Sequence, residues 1–504
     1  MEQPSKPKAA AQHDFSTTHL LDNLTGRTVS GGIVQICNQG VQFILTLGYS
    51  IIMARLLTPH EFGLVAMVTT VIGFLQIFRD MGLSTATIQR TDITHAQVSN
   101  LFWLNVGVSG IISILLAAGA PLIAWFYHEP KLVNIALALS ANFILNGLAG
   151  QHIALLNRQM RFGIASVIEM SSLAVSFTIG IVMAVKGFGY WSLVAATPVQ
   201  SALRLIAIWS VSQWRPQRPI RGVGTKPLIS FGANITLSGF IYSTSMGCDS
   251  LIIGRVFGPV SVGLYTRAAT LISRPLQQMI NPIYTVAVPT LSRLQVQPER
   301  YRKFYLGVFE ALAIAAFLFV GLVLPLAHPL TVSILGDRWE AAAVIFAGFS
   351  VSAIYIPLSS AASWLYTSQG RGADILKLSI IEAILTISSV FIGLRYGPSG
   401  VAVALSISGV FVKLPLTFQI AGRSGPVRSQ DLWTALLTHF PVGVIAGGVT
   451  WGTYLAIPSL SPLKQLFVCI PCGLLASALT IFVYSPSRRV SLGVFDALRA
   501  LKKR

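Results

Sequence analysis

A chain of 504 residues with 53% hydrophobic and only 11% charged side chains, and a mean hydropathy of +0.69, is too apolar for a soluble domain, where about a quarter of residues are charged. The formal net charge of +19 would point to nucleic acid in a soluble protein; here the basic residues sit mainly on alternate loops between apolar runs, where they report membrane topology. All four cysteines fall in apolar runs, so even Cys469-x-x-Cys472 is expected to be core rather than a redox or metal pair.

Residues 1–28 are polar and lack the apolar core of a signal peptide, so they are read as a cytoplasmic tail. Fourteen apolar runs follow, each of about 20 residues or more, the length that crosses a bilayer as helix. Their limits are 30–54, 62–79, 99–126, 132–156, 163–185, 188–211, 228–252, 260–287, 303–327, 341–366, 374–395, 399–421, 432–455 and 463–484. Asn281-Pro282 in the eighth run predicts a kink or an early end. The excess of Lys and Arg on the segments after even-numbered runs places both termini in the cytoplasm.

Between the first two runs lies RLLTPHEFGL (55–64), and between the seventh and eighth lies RVFGPVSVGL (255–264). Arg55, Pro59 and Gly63 recur as Arg255, Pro259 and Gly263, a duplicated turn between membrane helices. Gln159-x-Arg161 likewise recurs as Gln369-x-Arg371, and Gly187 as Gly397. The expected fold is therefore an all-α polytopic membrane protein with fourteen transmembrane helices. Two pseudo-symmetric six-helix lobes (29–211 and 228–421) flank a Pro- and Arg-rich cytoplasmic linker (212–227). Two extra helices (422–484) and a basic cytoplasmic tail (485–504) complete the chain.

Polar residues inside apolar helices are the candidate functional groups, because an unpaired polar group is costly in hydrocarbon. The first helix carries Gln35, Asn38, Gln39, Gln42, Thr46 and Tyr49 on one face, and the seventh carries Asn234, Ser238, Tyr242, Ser245 and Asp249. Two such stripes in equivalent helices favour a wet, hydrogen-bonding cavity over interhelical glue. In the eighth helix Arg267 and Arg274 share a face, followed by Gln278, and the planar guanidinium fork suits an anion that offers paired oxygens. Pairing with Asp249, or snorkelling to the surface, is the competing role. Glu169 with Arg204, and Glu382 with Lys413, are expected to form ion pairs that lock neighbouring helices, with ion coupling as the sharper alternative. Asn142, Asn146, His152, Ser352, Tyr355, Ser359 and Ser363 are further cavity-wall candidates, although His152 alone is more often a core residue. No phosphate-binding glycine loop and no metal-ligand cluster occurs, so neither cofactor nor metal is expected.

The segments MARLLTPHEFGLVAM (53–67), RDMGLSTATIQR (79–90), GFGYWSLV (187–194) and RVFGPVSVGLYTRA (255–268) resemble the Wzx-type polysaccharide flippases, in their exopolysaccharide and colanic-acid-exporter branch. These belong to the multidrug/oligosaccharidyl-lipid/polysaccharide exporter superfamily. The resemblance implies a non-enzymatic transporter of the bacterial inner membrane. It would turn undecaprenyl-pyrophosphate-linked oligosaccharide units across by alternating access, with helices thirteen and fourteen as a groove for the lipid tail. A polysaccharide polymerase and chain-length or export proteins would be its partners. Two rivals are a cation-coupled multidrug exporter of the same superfamily and a membrane glycosyltransferase or polymerase acting on the same lipid. The first calls for acids in the cavity, yet the first helix has none; the second needs a reactive outer loop, and none is long enough.

Overall fold

A computed structural model describes the backbone of residues 24–80, 84, 87, 88, 93–220 and 226–490, with side chains described in 37–79, 84, 87, 88, 93–220 and 247–490. The described residues fold as helices and contain no strand. In chain order they are α1 (Leu24–Leu56), α2 (Pro59–Asp80), α3 (His95–Ala118), α4 (Ala120–Tyr127), α5 (Leu132–Arg158), α6 (Phe162–Val185), α7 (Trp191–Val211) and α8 (Lys226–Leu294). Then come α9 (Pro298–Val323), α10 (Ala327–Leu335), α11 (Ala342–Ser350), α12 (Ser352–Ser368), α13 (Gly372–Leu394), α14 (Gly397–Ser408), a π-helical turn (Gly409–Lys413), α15 (Leu414–Ala421), α16 (Ser429–Ala456) and α17 (Pro462–Val483). Exposed faces carry large apolar side chains such as Ile44, Leu122, Phe411 and Phe467, as helices require whose outer solvent is lipid.

Among the described residues eleven helices are long and apolar enough to cross a membrane, or twelve if α11 and α12, bent by 43°, count as one span. The chain is thus a multi-pass membrane protein. Of the fourteen expected runs, the start of the first and most of the seventh fall on residues whose side chains lie outside the description. The expected third run is α3 with α4, broken at Gly119. The expected seventh and eighth runs are two helices that meet at a kink at Gly258 (φ 76°) and share the label α8. Asn281-Pro282 does not end that helix: it continues to Leu294. Proline removes one backbone donor, and membrane helices tolerate the loss where neighbours satisfy the freed carbonyl.

Helix ends follow local chemistry. Thr94 and Gln97 cap the start of α3 reciprocally. The turns matched in the sequence share their backbone: Gly187 and Gly397 adopt φ 82° and 76°, and Met160 and Gly370, at the centre of the two Gln-x-Arg turns, adopt 55° and 70°. A positive φ at the residue after a helix reverses the chain tightly, so these pairs mark the same helix–turn–helix twice. The contacts divide the chain into two compact units, Met1–Val260 and Ser261–Arg504.

Residues 212–220 lead away from α7 but fold back as a strap on the first unit. Trp214, only 4% exposed, sits in a core of Ile93, Val98, Leu101, Phe102 and Leu155. Asn100 mimics a strand partner: its amide donates to the Ile220 carbonyl (2.7 Å) and accepts from the Ile220 N–H (2.9 Å). Trp103 Nε1 donates to Gln217 O, and Gln217 N donates to Ser99 Oγ. Arg215 donates to the last carbonyls of α7 at Trp209 and Ser212 and lies over the Trp209 ring.

Candidate functional site

The two copies of the duplicated turn share their burial at most positions and differ most at Leu57, which is buried, against Phe257, which is exposed. Met53 and Ala54 are buried before an exposed Arg55; Ile253 and Gly254 are buried before an exposed Arg255. Phe62 and Gly63, like Val262 and Gly263, are buried. In the first copy Thr58 and Glu61 form a capping box: Thr58 N donates to Glu61 Oε2 (2.8 Å) and Glu61 N to Thr58 Oγ1 (3.4 Å), with Pro59 preset for the first helical position. Arg255 stacks on Phe126. Gly63 lies directly against the backbone carbonyl of Pro259, so a Cβ there would overlap it. The two copies of the motif therefore touch.

Two polar clusters sit inside the helices, one in each unit. In the first, Arg204 of α7 forms a salt bridge with Glu169 of α6 at 3.2 Å, and a second guanidinium nitrogen donates to Asn146 Oδ1 on α5. Gln200 Nε2 donates to the other carboxylate oxygen at 3.0 Å, and Asn146 also donates to Ser201. Both charged side chains are about three-quarters buried, at 23% and 26% exposure. In the second cluster Glu382 of α13 accepts from Tyr355 OH of α12 (2.9 Å) and from Thr417 Oγ1 of α15 (3.3 Å). Lys413, buried at the end of the π-helical turn, donates to Thr386 Oγ1 (2.7 Å) and lies over the Tyr355 ring. Asn146 and Tyr355 stand 209 residues apart, as do Arg204 and Lys413, one fewer than the 210 between the paired turns, while Glu169 and Glu382 stand 213 apart. A carboxylate, a cation and a polar side chain thus come together from equivalent helices twice. Asn146 and Tyr355, expected on a cavity wall, instead complete these clusters. The π turn, which widens the helix by one residue, is a frequent device at functional sites.

Five of the six members of the first polar stripe are described, and they lie on the more buried side of α1. Asn38, Gln39, Gln42, Thr46 and Tyr49 are half-buried, whereas Val41, Ile44 and Leu47 on the other side are exposed. Tyr49 does not point into open space: its ring stacks on Phe177 of α6 at 4.0 Å and packs against Gly180. Gln35, and Asn234, Ser238 and Tyr242 of the second stripe, have side chains outside the described residues. Asp249 is half-buried and accepts from the Ser250 N–H. On α8, Arg267 and Gln278 are half-buried and Arg274 is exposed. Ser352, Ser359 and Ser363 return their hydroxyls to carbonyls of their own turn. His152 is fully buried among Phe102, Trp209 and Trp214, so it belongs to the strap's aromatic core.

Sequence inspection passed over several groups. Gln200, Thr386 and Thr417, which complete the clusters, look like ordinary helix residues. Glu310 is different: it is a half-buried carboxylate within α9 that forms no hydrogen bond or ion pair among the described residues. A single acid in the run Tyr305–Phe317 was the available signal.

A family model described as "Polysaccharide biosynthesis protein" matches residues 52–344. The chain is 28% identical to the teichuronic acid biosynthesis protein TuaB of Bacillus subtilis (strain 168), over 75% of this chain and 80% of that protein. It is 23% identical to the lipopolysaccharide biosynthesis protein WzxC of Escherichia coli (strain K12), over 84% and 88%. Among solved structures it is similar to the lipid II flippase MurJ in an inward closed conformation, with a TM-score of 0.71 at 14% identity over 90% of this chain and 98% of that one. It is also similar to an inward-facing multidrug resistance transporter of the MATE family, with a TM-score of 0.56 at 16% identity over 81% and 94%. At these identities the structural likeness is one of fold.

Proposed function

This chain belongs to the polysaccharide biosynthesis protein family, and from that premise we propose that it is a flippase. Its cargo is an undecaprenyl-pyrophosphate-linked oligosaccharide repeat unit, carried from the inner to the outer leaflet of the bacterial inner membrane for exopolysaccharide, capsule or O-antigen export. The family match over residues 52–344 carries this proposal; the teichuronic acid and lipopolysaccharide names of its relatives support it.

The mechanism we infer is alternating access by fourteen helices, six in each of two related lobes, with both termini cytoplasmic. The recurring turn geometry and the paired polar clusters support two lobes. Asn38 and Gln42, half-buried opposite an exposed apolar face, support a sugar-binding wall, with Gln35, Asn234, Ser238, Tyr242 and Gln278 as its other members. Arg267 and Arg274, two turns apart on one face of α8, would take the pyrophosphate, whose paired oxygens match a planar fork. The polyprenyl tail stays in hydrocarbon, along α16 and α17, because drawing it into a polar chamber forfeits apolar burial. The unit would then pass to a polymerase and to chain-length or export proteins.

Arg274→Ala tests the proposal. Arg274 is exposed, so its removal should leave folding intact. In a strain lacking the wild-type gene, the variant should express normally, lose surface polymer and accumulate lipid-linked repeat units on the cytoplasmic side. Normal export by a well-expressed Arg274→Ala protein removes this residue from the pathway.

A further inference from the structure

The second unit contains a cavity of about 680 Å³ between α13 and α14, open on one side and bounded by Val344 of α11. Its walls are Leu385, Ile392, Val403, Ala404, Ile407 and Val412. Four serines interrupt this wall, Ser388, Ser389, Ser399 and Ser408, of which Ser389 donates its hydroxyl to the Leu385 carbonyl at 2.6 Å within its own helix. No charged side chain lines the groove, and its surface is mostly apolar. α13, and α14 continued through α15, are each long and apolar enough to cross a membrane, so a groove between them lies at bilayer depth.

We propose that this groove is a phospholipid site, holding one acyl chain of an anionic lipid whose headgroup meets Arg395. Three observations select that occupant. The first is length. From Leu385 to Tyr396 the groove runs along the last turns of α13 and just past its end, roughly 16 Å at 1.5 Å per residue. That is the depth of one leaflet, roughly half of a ~30 Å hydrocarbon core. An extended undecaprenyl chain is longer than the whole core and would overrun the groove. The second is charge. Arg395 caps α13 at the end of the groove, its backbone N–H donating to the Gly393 carbonyl; its side chain is exposed, and the guanidinium forms no hydrogen bond or ion pair among the described residues. Glu340, one turn from Val344, is engaged by His328 at 3.2 Å. A phosphate is what such a guanidinium would find at a membrane surface. The third is the rim itself. Tyr396 lines the groove beside Arg395 and is 76% exposed, the pairing of aromatic and basic side chains that anchors helix ends at the interface. At its deep end the chain would rest on Val412, in the π turn whose next residue is Lys413. The site stands whether or not the transport proposal holds.

The test is native mass spectrometry of the full-length protein released from detergent in the presence of phosphatidylglycerol or phosphatidylcholine. The wild type should retain one phosphatidylglycerol up to about fivefold more strongly than phosphatidylcholine, the preference expected of one exposed ion pair. Ala404→Phe, which fills the groove, should lose that bound lipid. Arg395→Ala, a surface change that leaves the groove open, should hold both lipids equally. If Ala404→Phe does not fold, Arg395→Ala decides alone. Retention of the wild-type preference by either folded variant overturns the site. Displacement of phosphatidylglycerol from the wild type by equimolar undecaprenyl phosphate overturns the phospholipid assignment and gives the groove to the polyprenyl chain.

Discussion

Removing one partner of the Glu169–Arg204 pair tests what the clusters are for. Arg204→Met keeps the length of the side chain and deletes the guanidinium. Glu169 then retains the Gln200 amide as its seen donor, and Asn146 loses the hydrogen bond to its carbonyl. Stranding a buried charge typically costs ~3–5 kcal/mol. The two side chains here keep 23% and 26% of their exposure. Partial screening therefore reduces the expected cost to about 2 kcal/mol, a factor of about 30 in the folding equilibrium. Pairing it with Glu169→Gln removes the stranded charge, and neutral replacement of a whole ion pair is often tolerated, so the double variant should recover to within about 1 kcal/mol of wild type. Thermal unfolding of purified protein, followed by fluorescence-detected size exclusion, reads the stabilities; polymer export in a strain lacking the wild-type gene reads the function. A lock between α6 and α7 predicts that stability and export return together in Glu169→Gln/Arg204→Met. A double variant no more stable than Arg204→Met refutes the stranded-charge account. One that is stable but exports nothing shows that the carboxylate does more than hold helices.

Three further outcomes follow from the packing. Gly63→Val places a branched side chain on the Pro259 carbonyl and should lower stability by about 1–3 kcal/mol, seen as a reduced melting temperature; an unchanged melt would show that the two turns do not touch. Trp214→Ala empties the socket of the strap at a cost of about 3–5 kcal/mol. Hydrogen exchange should then show lost protection of the Gln217 and Ile220 amides, which Ser99 and Asn100 hold in the wild type. Asp431→Asn weakens the two-pronged contact with Arg302 that ties α16 to α9, but Arg302 is half exposed, so the loss should stay below ~1 kcal/mol and shrink further in high salt.

Much of the architecture was legible from short-range pattern. Apolar runs of bilayer length mark helices because every backbone polar group in hydrocarbon must be satisfied within its own segment. Thr58-Pro59-His60-Glu61 announces a helix start because cap and reach-back lie within one turn. The side of α1 that carries Asn38 and Gln42 was readable because Val41, Ile44 and Leu47 fall opposite it at helical spacing. The Glu169–Arg204 partnership was foreseen on charge alone, since a lone acid and a lone base in adjacent apolar helices have few other partners.

What the chain order could not supply is which helices are neighbours and at what height. Asn146 lies in a different helix from Arg204 and completes its coordination only because α5 packs against α7. The Pro- and Arg-rich stretch after α7 has the composition of a free linker, yet Trp214 finds a socket built from α3 and α5, far away in sequence. The π turn at Lys413 and the groove between α13 and α14 carry no local signature. Hydropathy and periodicity are properties of one helix in its solvent, and the sequence holds them entirely; a cluster, a socket or a groove is a property of several helices at once, and only their packing brings it into being.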